Sequence, residues 1–119
     1  MPRSLIKPAL FTGICTLILS LSSQAASFEC AKAKAADEVA ICANRSLNDQ
    51  DVTMALLYDL SKHFMAMGGR GSLMDGQAAW LKLRRTCGAR VSCLSDAYTQ
   101  RIGMLRGFID ERVMTKGPF

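Results

Sequence analysis

The stretch Leu94–Arg112, LSDAYTQRIGMLRGFIDER, decides the fold. Leu94, Tyr98, Ile102, Leu105 and Ile109 recur at steps of four, four, three and four, the spacing that lays side chains along one stripe of an α-helix. Asp96 near the start and Arg112 near the end each sit beside the end of the helix dipole that they complement. Gly117 and Pro118 close the pattern, so residues 114–119 read as a flexible tail.

Upstream, the segment between Cys87 and Cys93 contains Gly88 and is too short for a further element. Before it, Leu73, Gln77, Trp80, Leu81 and Arg84 share a helical face, and Ser72 with Asp75 resembles a capping box opening a helix that runs through Thr86. Gly68, Gly69, Arg70 and Gly71 read as a loop, since glycine costs entropy to order and breaks the periodicity. A helix from about Ser46 to Met67 precedes that loop, with Val52, Leu56, Leu57, Leu60, Phe64 and Met67 as its expected buried face. A shorter helix, Ala35 to Ala43, carries Asp37 and Glu38 in its first turn and ends near Asn44. No alternating strand of useful length, internal repeat or low-complexity run interrupts this series. The sequence therefore predicts an all-α fold: a small antiparallel bundle of three to four helices.

At the N-terminus Arg3 and Lys7 precede an apolar run from Ala9 to Leu21, followed by Ser22, Ser23, Gln24, Ala25 and Ala26. This is the three-part pattern of a secretory signal. The run is shorter than the roughly 20 residues needed to cross a bilayer, so a retained membrane anchor is not expected. Ser23 and Ala25 place small side chains where a signal peptidase reads them, which sets the cut after Ala25, with Ala26 as the fallback. Cys15 lies inside the apolar run without a lipobox-like context at Thr12, Gly13 and Ile14. The expected organisation is a signal peptide over 1–25, a helical domain over 26–113 and the tail, in a periplasmic or secreted bacterial protein.

Removal of Arg3 and Lys7 lowers the formal charge from +5 to +3, an excess too mild to point to nucleic acid. About 94 residues remain, too few for a core to confer much stability alone. Cys30, Cys42, Cys87 and Cys93 survive the cut. An even count in an exported chain reads as two disulfides, whereas a zinc site would be expected to show a Cys-x-x-Cys pair. Local pairing, Cys30 with Cys42 and Cys87 with Cys93, is favoured over the crossed alternatives. Twelve steps of straight helix would hold Cys30 and Cys42 about 18 Å apart, beyond disulfide reach, so that bond requires the lead before Ala35 to fold back.

Catalytic signals are weak. His63 is the single histidine and lies beside Phe64 on a helix, and the adjacent Asp37 and Glu38 point to different faces. The glycines at 68–71 lack the strand and Lys-Ser/Thr pair of a phosphate loop. The chain is read as a non-enzyme without metal or cofactor. Trp80, with Leu81, Tyr58 and Tyr98, reads as core; Arg84 and Arg101 lie on or beside apolar stripes, from which one or both can pair with Asp51 in a partly buried network. Met54, Met65, Met67, Met74 and Met104 read as adaptable core fillers. Lys82, Arg84, Arg85 and Arg90 read as a mostly solvated basic face.

Phe28, Cys30, Ala31 and Lys32, then Glu38, Ile41 and Cys42, resemble the opening of the LprI-type lysozyme-inhibitor N-terminal domain family. The resemblance continues through Leu47, Asp51 and Tyr58, through Gln77, Trp80, Leu81, Arg84 and Cys87, and through Cys93, Leu94, Tyr98, Arg101, Ile102 and Leu105. It implies a periplasmic or secreted helical binding module and, for the name-giving member, inhibition of lysozyme. The expected partner is accordingly a lysozyme or another cell-wall hydrolase, with Arg70 on its glycine-rich loop as the candidate contact. An envelope structural or stress protein without inhibitory activity is the alternative.

Overall fold

The computed structural model describes residues 26–116; the expected signal peptide, 1–25, lies outside the described residues. Four helices follow one another: α1, Ala36–Ala43; α2, Arg45–Phe64; α3, Met67–Thr86; and α4, Val91–Lys116. A single 3₁₀ turn, Cys30–Lys32, stands before them, and the described residues contain no strand. The fold is all-α, as expected. None of the described helices is long and apolar enough to cross a membrane.

Asn44 makes the corner between α1 and α2. Its backbone N–H closes the end of α1 on Ala40 and Ile41, and its side chain accepts from the Leu47 N–H at 3.1 Å, capping α2. The corner between α3 and α4 turns on Gly88, whose φ of +56° suits a residue without Cβ. Arg90 secures the same corner by donating Nε to the Cys87 carbonyl and Nη2 to the Thr86 carbonyl, satisfying acceptors that the end of α3 leaves free.

Both disulfides are local. Cys30–Cys42 has a Cα separation of 5.7 Å and Cys87–Cys93 one of 5.5 Å. The 3₁₀ turn and the extended residue Ala33 after it return the lead toward α1, the fold-back that the first bond requires. Successive long helices run antiparallel. Met54 and Asp51 of α2 meet Gln77 and Arg84 of α3, in that order, and Gln77 and Trp80 meet Arg101 and Ala97 of α4.

The core gathers Ile41, Leu47, Met54, Trp80, Leu94, Tyr98 and Leu105. The α4 stripe is as the sequence predicts, with Leu94, Tyr98 and Leu105 buried and Ile102 and Ile109 half-buried. Of the expected face of α2, only Leu57 packs half-buried against the core. Val52, Leu56, Leu60 and Phe64 are 45%, 67%, 41% and 44% exposed, while Leu47, Asn48, Asp51, Met54 and Ser61 turn inward. Consecutive helical residues lie about 100° apart, so drawing Asp51 into the interior rotates Val52 and its i+4 companions away from it.

The glycine-rich loop is also corrected. The chain breaks at Met65 and Ala66, and Gly68, Gly69, Arg70 and Gly71 already belong to α3. Arg70 donates Nε and Nη2 to the Lys62 carbonyl at 3.2 and 3.0 Å, which satisfies an orphan acceptor in the last turn of α2 and requires Arg70 to sit on a turn beside it. A Cβ on Gly69 would stand 2.7 Å from the Met65 sulfur, in the outer part of a flexible side chain that can shift to make room. Ser72 and Asp75 consequently fall inside α3 rather than capping it. Among the methionines read as core fillers, Met54 is buried and Met65 half-buried, whereas Met67, Met74 and Met104 are exposed. At the other end α4 continues through Lys116, past the expected tail boundary at 113.

Candidate functional site

Four polar side chains, one from each helix, converge on the interior. Asp37 of α1, Asp51 of α2, Arg84 of α3 and Tyr98 of α4 are each 4% exposed or less. Arg84 donates Nε to Asp37 Oδ2 at 2.9 Å and Nη1 to the Tyr98 hydroxyl at 3.2 Å. Tyr98 in turn donates to Asp51 Oδ1 at 2.7 Å, and Arg84 Nη1 stands 3.6 Å from the same oxygen. One guanidinium thus ties together side chains from all four helices. The second oxygen of Asp51 accepts the Ser27 backbone N–H at 2.7 Å.

The surroundings fix this arrangement. Trp80 meets the Tyr98 ring edge-on at 5.2 Å and donates its indole N–H to the Ala97 carbonyl at 3.1 Å. The Arg84 guanidinium lies 5.8 Å from the rings of both Phe28 and Trp80, within cation–π range. Burial and the neighbouring Asp51 carboxylate push the Tyr98 hydroxyl far above the ordinary phenol range, although Arg84 pulls the other way. Burial alone would lower the Arg84 pKa, but its contacts with Tyr98 and Asp37 carry it above its usual value. Both groups therefore keep one protonation state throughout physiological pH.

Arg101 does not reach Asp51. It donates Nε to Gln77 Oε1 at 3.0 Å, while Gln77 Nε2 lies 3.1 Å from the Met54 sulfur. Arg101 Nη2 is buried without a hydrogen-bond partner among the described residues, and burial lowers the pKa of this guanidinium. Tyr58 stays half-buried beneath Lys62 Nζ, 4.9 Å from its ring centre, and takes no part in the Arg84 network. His63 is exposed, with Nδ1 2.8 Å from the Asp59 carbonyl. The basic face at 82–90 is dispersed, because Arg84 turns inward and Arg90 folds onto the end of α3.

Asp37 is the member of the network that the sequence reading assigned elsewhere. A carboxylate in the first turn of a helix has sufficient reason to be there in the dipole. The available sign was its place four residues before the core residue Ile41, one turn away on the same face.

Above Arg84 the surface opens into a groove of about 560 Å³ between the N-terminal lead, α2 and α3. Phe28, Met54, Tyr58, Met74 and Leu81 line it; Gln77 and Arg84 contribute polar atoms, and Glu38 and Arg85 add opposite charges. This is the apolar surface with a few polar groups that suits recognition of a ligand or peptide segment. A second depression, about 790 Å³, lies between α2 and α4 beside Arg45, Asp49, Gln50, Thr99 and Arg106 and touches none of the network. The described residues contain no group of three or more His, Cys, Asp or Glu side chains placed to hold a metal ion.

Comparison with known proteins gives no match to a family model, to a curated protein or to a solved structure.

Proposed function

We propose that the chain is an exported, disulfide-tied binding module whose groove above Arg84 engages a protein partner, the first to be tested being a lysozyme or another cell-wall hydrolase. The observation that carries a binding reading over a catalytic one is the use made of the titratable core groups. Asp37, Asp51, Arg84 and Tyr98 are hydrogen-bonded or ion-paired to one another, and the shifts on Arg84 and Tyr98 lead away from the range useful for proton transfer. Their effect is to hold four helices in fixed relation beneath an open, apolar-lined groove, the pre-organisation that a binding surface needs.

The lysozyme assignment comes from the sequence resemblance. A lysozyme cleft holds two carboxylates, for which a guanidinium is a suitable two-pronged partner. Arg70 is engaged with the Lys62 carbonyl, so Arg85, on the groove, replaces it as the candidate contact. The test measures residual lysozyme activity with the purified exported protein and with its Arg85→Ala and Arg70→Ala variants, at low and physiological salt. The expected result is inhibition by the parent and by Arg70→Ala, weakened at least tenfold in Arg85→Ala. No inhibition by the parent overturns the inhibitor reading, and equal inhibition by all three moves the contact away from the groove.

A further inference from the structure

We propose that Asp51 is the receptor for the α-ammonium group that leader removal creates, so that processing completes the ionic network in the core. This rests on reading residues 1–25 as a removable leader. The starting observation is a charge imbalance. Asp37 and Asp51, 2% and 0% exposed, share the single cation Arg84, and among the described residues no other side-chain cation lies within 4 Å of either carboxylate. A buried charge without a full counter-charge is costly.

The chain brings its own N-terminal end to that position. Ala26 is 8% exposed and belongs to the core cluster, and the Ser27 N–H reaches Asp51 Oδ2 at 2.7 Å. A cut after Ala25 places the new ammonium on Ala26, one residue, or at most about 3.8 Å of backbone, from the nitrogen already bonded to Asp51. A cut after Ala26 places it on that nitrogen. From either site the positive charge lies close enough to attract the Asp51 side chain. The charged and titratable groups facing it are Asp37 from α1, Asp51 from α2, Arg84 from α3 and Tyr98 from α4. With two carboxylates, one guanidinium and a neutral phenol, the cluster is brought to neutrality by one ammonium. Before cleavage the same nitrogen is an uncharged amide.

The pairing has a sign in pH. An ammonium held by a carboxylate loses its proton at higher pH in the folded chain than in the unfolded one. Its contribution is complete below the unfolded value, about 7.7–8.0 for an α-amino group, and is lost as pH rises through the folded value. Tyr98 acts in a separate window, above about 10.

The experiment uses the exported protein, its terminus mapped by mass, and a variant with Gly-Ser inserted after Ala25, which moves the ammonium two residues away from Ala26. Melting temperature is followed from pH 6 to 9.5, and the N-terminal peptide is monitored for its rate of acylation at pH 7. The native terminus is expected to melt roughly 5 °C above the insertion variant at pH 6, to lose that advantage by pH 9.5, and to acylate at least tenfold more slowly. Coincident melting profiles and equal acylation rates overturn the proposal. A mapped terminus other than Ala26 or Ser27 overturns the leader premise instead, and the mass distinguishes the two failures.

Discussion

At the scale of single residues, the two buried arginines provide a contrast. Arg84 is enclosed by two carboxylates and a phenol, so Arg84→Met strands buried negative charge. Its expected cost is about 3–5 kcal/mol, a large part of the roughly 5–15 kcal/mol that holds a domain together. Arg84→Lys is a poor replacement, because a single ammonium does not reproduce the planar fork that reaches Asp37 and Tyr98 together. Among the described residues Arg101 has no carboxylate partner and leaves Nη2 without a hydrogen bond. Removing it with its amide acceptor, as Arg101→Met with Gln77→Leu, is expected to be neutral or stabilising; in urea denaturation the midpoint should fall for Arg84→Met and hold or rise for the double variant. Tyr98 adds a pH signature. Its hydroxyl pKa is raised in the fold by burial and by Asp51, so the neutral phenol contributes stability that is complete below the unfolded value of about 10 and lost as pH rises above it. Tyr98→Phe should melt lower at pH 7, by about 1–3 kcal/mol for the partners left unpaired, yet show a shallower decline between pH 10 and 11. An equally steep decline would assign the alkaline limb to other groups.

At the scale of elements, α2 and α4 show where helical periodicity suffices and where it does not. The α4 stripe was legible because Leu94, Tyr98 and Leu105, at helical spacing, are buried, even though Arg101 is buried beside them and Met104 faces outward. In α2 the apolar residues at 52, 56, 60 and 64 form an equally regular series, yet they face outward while Asp51 and Ser61 face in. Periodicity locates a helix and its apolar side, but a buried ion pair can set the rotation, and the partner that makes it lies 33 residues away at Arg84. Hence Leu56→Asp, at a side chain 67% exposed, should shift stability by no more than about 0.5 kcal/mol. Leu105→Ala, at a side chain 2% exposed, should cost about 2–5 kcal/mol. Thermal melts followed by circular dichroism check both, and a large loss from Leu56→Asp would return that face to the core. The start of α3 was illegible for a similar reason. Three glycines argue locally for a loop, and the contact outweighing them, Arg70 on the Lys62 carbonyl, joins two elements that the sequence reading had separated.

For the molecule as a whole, the two disulfides do different work although chain entropy gives them contributions of similar size. In the chain-entropy account, closing loops of separation 12 and 6 stabilises by about 3 and about 2 kcal/mol, a difference too small to separate them clearly. Their surroundings separate them. Cys87–Cys93 spans a corner already held by Gly88 and by the two bonds from Arg90, so its loss leaves the folded chain little changed. Cys30–Cys42 fastens the lead to α1, and that lead carries Ala26 and Phe28 to the core and the Ser27 N–H to Asp51. Freeing it takes the Ser27 N–H away from Asp51 Oδ2, and a carboxylate that loses a donor inside the fold costs stability. The paired replacement Cys30→Ser/Cys42→Ser should therefore lower the melting temperature by several degrees more than Cys87→Ser/Cys93→Ser, with helix content at low temperature kept in both, since the four helices contain their own backbone bonds. The excess should shrink when Asp51 is changed to Asn in the same backgrounds, because the carboxylate that the lead protects is then gone. Equal losses from the two pairs, or an excess indifferent to Asp51, would mean that the lead adds packing alone and that the network is complete without it.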